Sequence, residues 1–254
     1  MNIYDVIYQR KSIRHFKWEP IPQKTLSLII KYQKEVMAFD HSIPYKIEMV
    51  ENLQEQQIIK GVLKSKAPYY LVFYSEVKEG YLKNAGYIMQ QIVLYMALKR
   101  VGSCYLGGTK VLPTVNSEGM KQVMVLAFGL PNEELYRNCE KANRRPMKEL
   151  CVFKEEVDDY VRKVLNAARF APSSMNIQPW RFVVYNNRIH LFAKKELPFF
   201  QKKSLDFDLG IVLAHIMLAL EEFWLEGKIV KNDQMAEKPF KKNEYILTIL
   251  LNRF

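Results

Sequence analysis

Apolar residues recur at two periods along this chain, and the switches between them mark out its elements. Ile3, Val6 and Ile7 share one side of a short helix over residues 2–9, which Asn2 can cap. Ile13 and Phe16 are then the apolar positions of the segment Arg10-Lys11-Ser12-Ile13-Arg14-His15-Phe16. Pro20 and Pro22 break the chain, and Leu26, Ile29, Ile30 and Val36 give an amphipathic helix over 23–37. A loop over 39–44 leads to an alternating strand over 45–50, a helix over 53–63 and an apolar strand over 68–74. Residues 80–100 form a long helical pattern rich in Met, Ile, Leu and Tyr, which reads as central core. The run Gly102-Ser103-Cys104-Tyr105-Leu106-Gly107-Gly108 is either a plain helix-to-strand turn or backbone passing close to something flat. A buried strand over 123–128 ends at Gly129-Leu130-Pro131.

The pattern then restarts. Arg144-Arg145-Pro146-Met147-Lys148-Glu149-Leu150 echoes residues 10–16 in charge and apolar position. A helix follows through Val157, Tyr160, Val161, Val164, Leu165 and Ala168, then strands over 181–185 and 189–193, an apolar helix over 205–225 and a strand over 245–251. We read a degenerate internal duplication, with the joint near residues 145–152 and halves at 1–145 and 146–254. The fold class expected is α+β, with antiparallel and mixed sheets and packed helices.

Between the helix ending near Ala168 and the strand at Arg181 lies a loop bounded by Pro172 and Pro179. Neither proline has an amide proton, and each fixes its own φ, so the helix stops before the first and the strand starts after the second. Ser173, Ser174, Asn176 and Gln178 sit on this stiff bend. Their hydroxyls and carboxamides can satisfy local backbone groups, or can meet a planar ligand whose rim alternates donors and acceptors. Arg10, Lys11 and Arg14 place three cations within five positions beside Ser12, a pattern that suits a phosphate and that also occurs as a solvated turn.

Composition narrows these choices. The chain has 254 residues, 49% hydrophobic and 26% charged, enough for one large core or two modest ones. Cys104, Cys139 and Cys151 are an odd number without a Cys-x-x-Cys pair, so no disulfide framework or zinc site is expected, and a reducing cytoplasm fits. His15, His41, His190 and His215 have no metal-ligand spacing, and His215, in an apolar helical run, reads as a packing residue. No signal peptide or membrane span is expected; the run 209–220 is short and ends in Glu221-Glu222. The net charge of +11 fits a lysine-rich surface and favours anionic ligands. The lysines are scattered, and no nucleic-acid motif is present.

The stretch Ala168-Arg169-Phe170-Ala171-Pro172-Ser173-Ser174-Met175-Asn176-Ile177-Gln178-Pro179-Trp180-Arg181-Phe182 resembles the signature of the nitroreductase family of FMN-dependent oxidoreductases. The resemblance implies that Pro172, Ser173, Ser174 and Asn176 lie against the flavin. Arg10-x-Ser12-x-Arg14 resembles the family's opening, which holds the FMN phosphate, ribityl chain and ring edge; Lys11 occupies a variable position. By the same resemblance Gly107 and Gly108 bring backbone past flavin N5, and Arg144 or Arg145 returns to the phosphate. The flavin carries the redox chemistry, so no catalytic acid or base is expected from the protein.

Members with one repeat per chain are typically homodimers, with each flavin held by one subunit's Arg-x-Ser-x-Arg and the other's Pro-Ser-Ser-x-Asn. Here the first half has the arginine-serine group, but residues 39–44 lack the serine-asparagine loop. The second half has that loop, but Pro146 replaces the serine at its opening. The resemblance therefore implies a monomeric pseudo-dimer with one FMN, using NAD(P)H and a nitroaromatic, quinone or similar small acceptor. The alternative is a flavin reservoir or sensor with little turnover. Specialised branches such as dehalogenases need lid insertions that this chain lacks, and a basic protein without flavin is the remaining class.

Overall fold

The computed structural model describes residues 1–55, 58–61, 65–112, 119–231 and 240–253. Contacts divide the chain into two compact units, Met1–Ala142 and Asn143–Phe254. Both are α+β.

In the first unit, α1 (Ile3–Gln9) begins with a reciprocal cap: Asn2 accepts from the Asp5 N–H, and Asp5 accepts from the Asn2 N–H. After α2 (Gln23–Glu35) come β1 (Tyr45–Glu51), β2 (Ile58–Gly61) and β3 (Tyr69–Ser75). α3 (Tyr81–Leu98), β4 (Gly102–Tyr105), β5 (Thr109–Leu112) and β6 (Lys121–Gly129) complete the unit. The main sheet is antiparallel in the order β1-β3-β6-β4, and β2 pairs with β5 separately. Every residue of β3 is buried, which is why Tyr69 to Ser75 reads as an unbroken apolar run rather than an alternation. α3 is buried nearly all round, as its composition requires.

The second unit starts with α4 (Met147–Leu150) and β7 (Cys151–Phe153), followed by α5 (Asp159–Arg169), β8 (Trp180–Tyr185) and β9 (Arg188–Lys194). α6 (Phe199–Glu222), β10 (Leu225–Val230) and β11 (Asn243–Arg253) follow. Its sheet order is β10-β11-β9-β8-β7, antiparallel except for β7 against β8. With the separate β2–β5 pair set aside, the chain order β8, β9, a long buried helix, β10 and β11 matches β1, β3, α3, β4 and β6. The repeated strands also hold the same neighbours. His215 is buried in α6 and donates from Nδ1 to the Ala167 carbonyl of α5 at 3.0 Å, so it is a packing residue.

Four expectations need correction. The helix over 53–63 does not form where residues are described: Ile58–Gly61 is a strand, because pairing with β5 overrides the local helical spacing; 56–57 and 62–63 lie outside the described residues. Residues 102–108 are more than a turn, since β4 occupies the first four. The apolar helix spans Phe199–Glu222 rather than 205–225; Trp224 takes φ 55 and the chain reverses into β10. That strand escapes a hydrophobic reading because Gly227 stands at its centre. A Cβ there would lie 2.5 Å from Leu220 Cδ1, so helix packs closely on strand and a larger residue would make the Leu220 side chain shift.

Candidate functional site

In the first unit, Arg10 leaves α1 in an extended conformation, and its N–H closes on the Val6 carbonyl at 2.9 Å. The segment that follows is fixed at both ends. Ile13 N–H donates to the Ser103 carbonyl of β4 at 3.0 Å, and Lys17 N–H donates to the Leu130 carbonyl at 2.9 Å. Gly102 permits this approach: a Cβ there would sit 2.8 Å from Ile13 Cγ2. Ile13 and Phe16 are buried in the sheet core, which fixes the direction of the charged residues between and beside them.

Arg10 is 5% exposed, donates from Nη2 to Ser12 Oγ at 2.9 Å, and has a buried Nε without a hydrogen-bond partner. Burial lowers its pKa; Tyr105 and Cys104 oppose that, while Arg14 adds to it. Arg137 lies close enough to repel it. Burial first, and then Arg10, bring the Arg137 pKa down to about 10, and its Nε donates to the Tyr8 carbonyl at 3.1 Å. No carboxylate pairs with Arg10 among the described residues. Glu133, the nearby acid, is committed elsewhere: its Oε1 accepts the N–H groups of Arg14 and His15 at 2.9 and 3.2 Å, and its Oε2 lies 3.5 Å from Lys11 Nζ. A buried guanidinium such as that of Arg10, with further cations close by, forms a site for an oxyanion. Cys104 lines the same region, its thiol pKa raised by burial against the pull of Arg14 and Arg10.

Gly107 and Gly108 join β4 to β5. A Cβ at either would meet nothing within 4 Å, so crowding does not select them; Gly108 does require its positive φ of 68°.

The second unit contains the proline-bounded loop. Ser173 Oγ accepts the Gln178 N–H at 2.9 Å, and Ser174 N–H donates to both oxygens of Asp208 in α6 at 3.0 and 3.1 Å. Three residues without the freedom of glycine adopt positive φ: Met175 at 50°, Asn176 at 56° and Gln178 at 49°. The Asn176 carboxamide is engaged at both ends. Its oxygen accepts from Arg144 Nη1 at 2.8 Å, and its nitrogen donates to the Asn143 carbonyl at 2.9 Å. Arg144 also donates to the Phe170 carbonyl at 3.2 Å. Arg145 gives its N–H to Gln178 Oε1 at 2.8 Å and pairs with Glu149 at 2.9 Å. Asn176 thus serves as the centre of a local network, which is the first of the two uses its residue type allows. Pro172 and Ser174 remain half-buried at its edge.

Arg144 and Arg145, one of them expected at the phosphate, both meet the loop of the second unit, Arg144 through Asn176 and Arg145 through its N–H to Gln178, while the Arg145 side chain pairs with Glu149. Within the first unit, the cation beside Arg10 is Arg137, which sequence reasoning passed over. Its signal is a lone arginine six residues beyond Pro131, too sparse to separate from any surface arginine. Asp208 was also missed, since one acid in an apolar helix has no local pattern. No cluster able to hold a metal occurs among the described residues, and no helix there is long and apolar enough to cross a membrane.

A family model described as Putative TM nitroreductase matches residues 2–220, and the chain belongs to this nitroreductase family. The structure of a putative nitroreductase from Thermotoga maritima is similar over 99% of this chain and 94% of its own, with 21% identity and a TM-score of 0.69, and shows the same fold. An FMN-dependent nitroreductase from Clostridium difficile R20291 matches 57% of this chain and 97% of its own, with 14% identity and a TM-score of 0.43. A nitroreductase family protein from Clostridium novyi NT matches 56% and 91%, with 19% identity and a TM-score of 0.42. No curated protein matches the chain.

Proposed function

We propose that this chain is an FMN-dependent oxidoreductase that takes electrons from NADH or NADPH and delivers them to a nitroaromatic, a quinone or a similar small acceptor. Arg10 carries the reading: a buried guanidinium repelled by Arg137 and Arg14 whose Nε has no hydrogen-bond partner, and which no acid pairs among the described residues. Such a group burdens the fold until an anion neutralises it. A flavin phosphate is the anion that family membership suggests, and the residues present fit it.

FMN, when bound, supplies the redox chemistry, with hydride acceptance at N5. The chain's residues bind and orient. Arg10, Ser12, Arg14 and Arg137 would take the phosphate and ribityl chain, while Lys11 and Glu133 brace the segment. The Gly107-Gly108 backbone would offer N–H groups to the ring. Pro172, Ser173 and Ser174 would hold the ring, and Arg144 and Arg145 hold Asn176 and Gln178 so that the loop keeps its strained shape. No side chain is assigned as a general acid or base.

The same reading treats the units as diverged copies, supported by their matching strand order. Each copy keeps one contribution, so one monomeric chain takes one FMN.

The test is the visible spectrum during FMN titration, then anaerobic addition of NADH or NADPH, then an acceptor such as a quinone. One flavin per chain, bleached and then restored, is expected. Protein that takes up no FMN overturns the reading, and two flavins per chain overturn the single-site arrangement. A flavin that bleaches with dithionite but not with either nucleotide makes the chain a reservoir or sensor.

A further inference from the structure

α6 opens with Phe199 and Phe200, which are 66% and 78% exposed, and Met175 stands beside them at 80%. No other phenylalanine among the described residues is exposed. Gln201 Nε2 reaches Met175 Sδ at 3.8 Å, and the two phenylalanine rings are 5.8 Å apart, so Met175 meets the same first turn of α6 that carries both rings. Adjacent exposed aromatics of this kind mark contact surfaces rather than chance exposure.

The rim of the patch is basic. Lys195, Lys202 and Lys203 are exposed, with Lys203 Nζ 4.4 Å from the centre of the Phe199 ring. Of the acids nearby, Glu196 is paired with Lys242 at 3.5 Å, and Asp206 lies further along α6. Lys202 and Lys203 stand near the positive end of the helix, whose first turn holds no acidic residue. Helix stability disfavours lysine there, so the helix itself does not explain them.

From this juxtaposition we infer that the start of α6 is a docking surface for an anionic lipid bilayer. Phe199, Phe200 and Met175 enter the boundary between headgroups and acyl chains, and Lys195, Lys202 and Lys203 meet lipid phosphates. This is attachment in the plane of the surface, which requires no spanning helix. Apolar insertion and basic attraction are the two signals that stable peripheral binding requires. Each lysine close to an anionic surface strengthens partitioning roughly fivefold. Charge also argues against a second copy of the chain as the occupant, since both surfaces would be basic on a chain of net charge +11.

The test is co-sedimentation of the full chain with phosphatidylglycerol–phosphatidylcholine vesicles and with pure phosphatidylcholine vesicles. Binding to the first and not to the second is expected. Phe199→Ser/Phe200→Ser and, separately, Lys202→Glu/Lys203→Glu should each lower the partition coefficient at least about tenfold while circular dichroism stays unchanged. Absence of binding to the anionic vesicles, or undiminished binding by the phenylalanine variant, overturns the proposal. So does a wild-type dimer in sedimentation equilibrium that the phenylalanine variant dissociates, because the patch would then be a protein interface.

Discussion

Both carboxylate oxygens of Asp208 accept the backbone N–H of Ser174, at 3.0 and 3.1 Å. The acid lies inside α6 at 2% exposure, and burial pushes its pKa up to about 7 against the pull of the Ser174 N–H and the Ser204 hydroxyl. One buried side chain thus ties the proline-bounded loop to the central helix of its unit, and its charge changes near neutral pH.

That arrangement gives stability a defined pH dependence. In the unfolded chain this acid titrates near its ordinary value of 3.8. Between there and about 7, the folded state retains a proton that the unfolded state has released, so stability falls as pH rises and levels off above about 7. A shift of that size corresponds to about 4 kcal/mol at most. Asp208→Asn stays neutral and can still accept from Ser174, so it should lack this fall. Urea unfolding at about pH 5 and about pH 8 compares the two proteins; identical pH responses would remove Asp208 as the source.

Arg10→Ala separates ligand binding from folding. The substitution deletes a charge-assisted contact to phosphate, worth about 1.5–3 kcal/mol, so FMN should bind about ten- to a hundredfold more weakly. The flavin-free protein should lose little stability, because the buried Nε has no partner and its charge is repelled by Arg137. Flavin fluorescence titration reads the first effect and thermal unfolding without flavin the second. Unchanged affinity would remove Arg10 from the phosphate site.

The fold was largely legible where local pattern and final environment agree. Asn2 caps α1, the Tyr69–Ser75 run is a fully buried strand, and the apolar helices are the centres of their units. Legibility failed where a distant partner decides. Ile58–Gly61 becomes a strand only because Thr109–Leu112 is available to pair with it, and Leu225–Val230 hides behind a central glycine on which Leu220 packs. The same division runs through the site. Arg10, Ser12 and Arg14 cluster in sequence and are visible there. Arg137 and Asp208 act across 127 and 34 positions, on Arg10 and Ser174 respectively, and leave no local trace.

Gly102→Ala tests how the arginine segment is positioned. The added Cβ would lie 2.8–2.9 Å from three carbons of Ile13, too close for any real contact. Either Ile13 or β4 must move, at a cost of about 1–3 kcal/mol. Since Ile13 lies between Ser12 and Arg14, FMN affinity should fall together with the melting temperature. Ile13→Ala in the same chain should recover part of both relative to Gly102→Ala alone. A single variant with full stability and full affinity would show that the close approach does not position these cations.

Asn176 carries two burdens, and paired substitutions tell them apart. Its side chain joins Arg144 to the Asn143 carbonyl, and its backbone sits at φ 56°, a conformation that asparagine tolerates better than alanine does. Asn176→Ala loses the network and adds left-handed strain, together about 2–4 kcal/mol. Asn176→Gly loses the same network but relieves the strain, so it should be more stable than the alanine variant by about 1–2 kcal/mol. Urea unfolding of the flavin-free proteins measures both. Removing the Asn176 carboxamide that Arg144 and the Asn143 carbonyl share should also loosen residues 173–178, so amide exchange there should quicken in both variants. If alanine costs nothing while flavin affinity drops, the carboxamide's first duty is to the ligand, and the network seen around it is secondary.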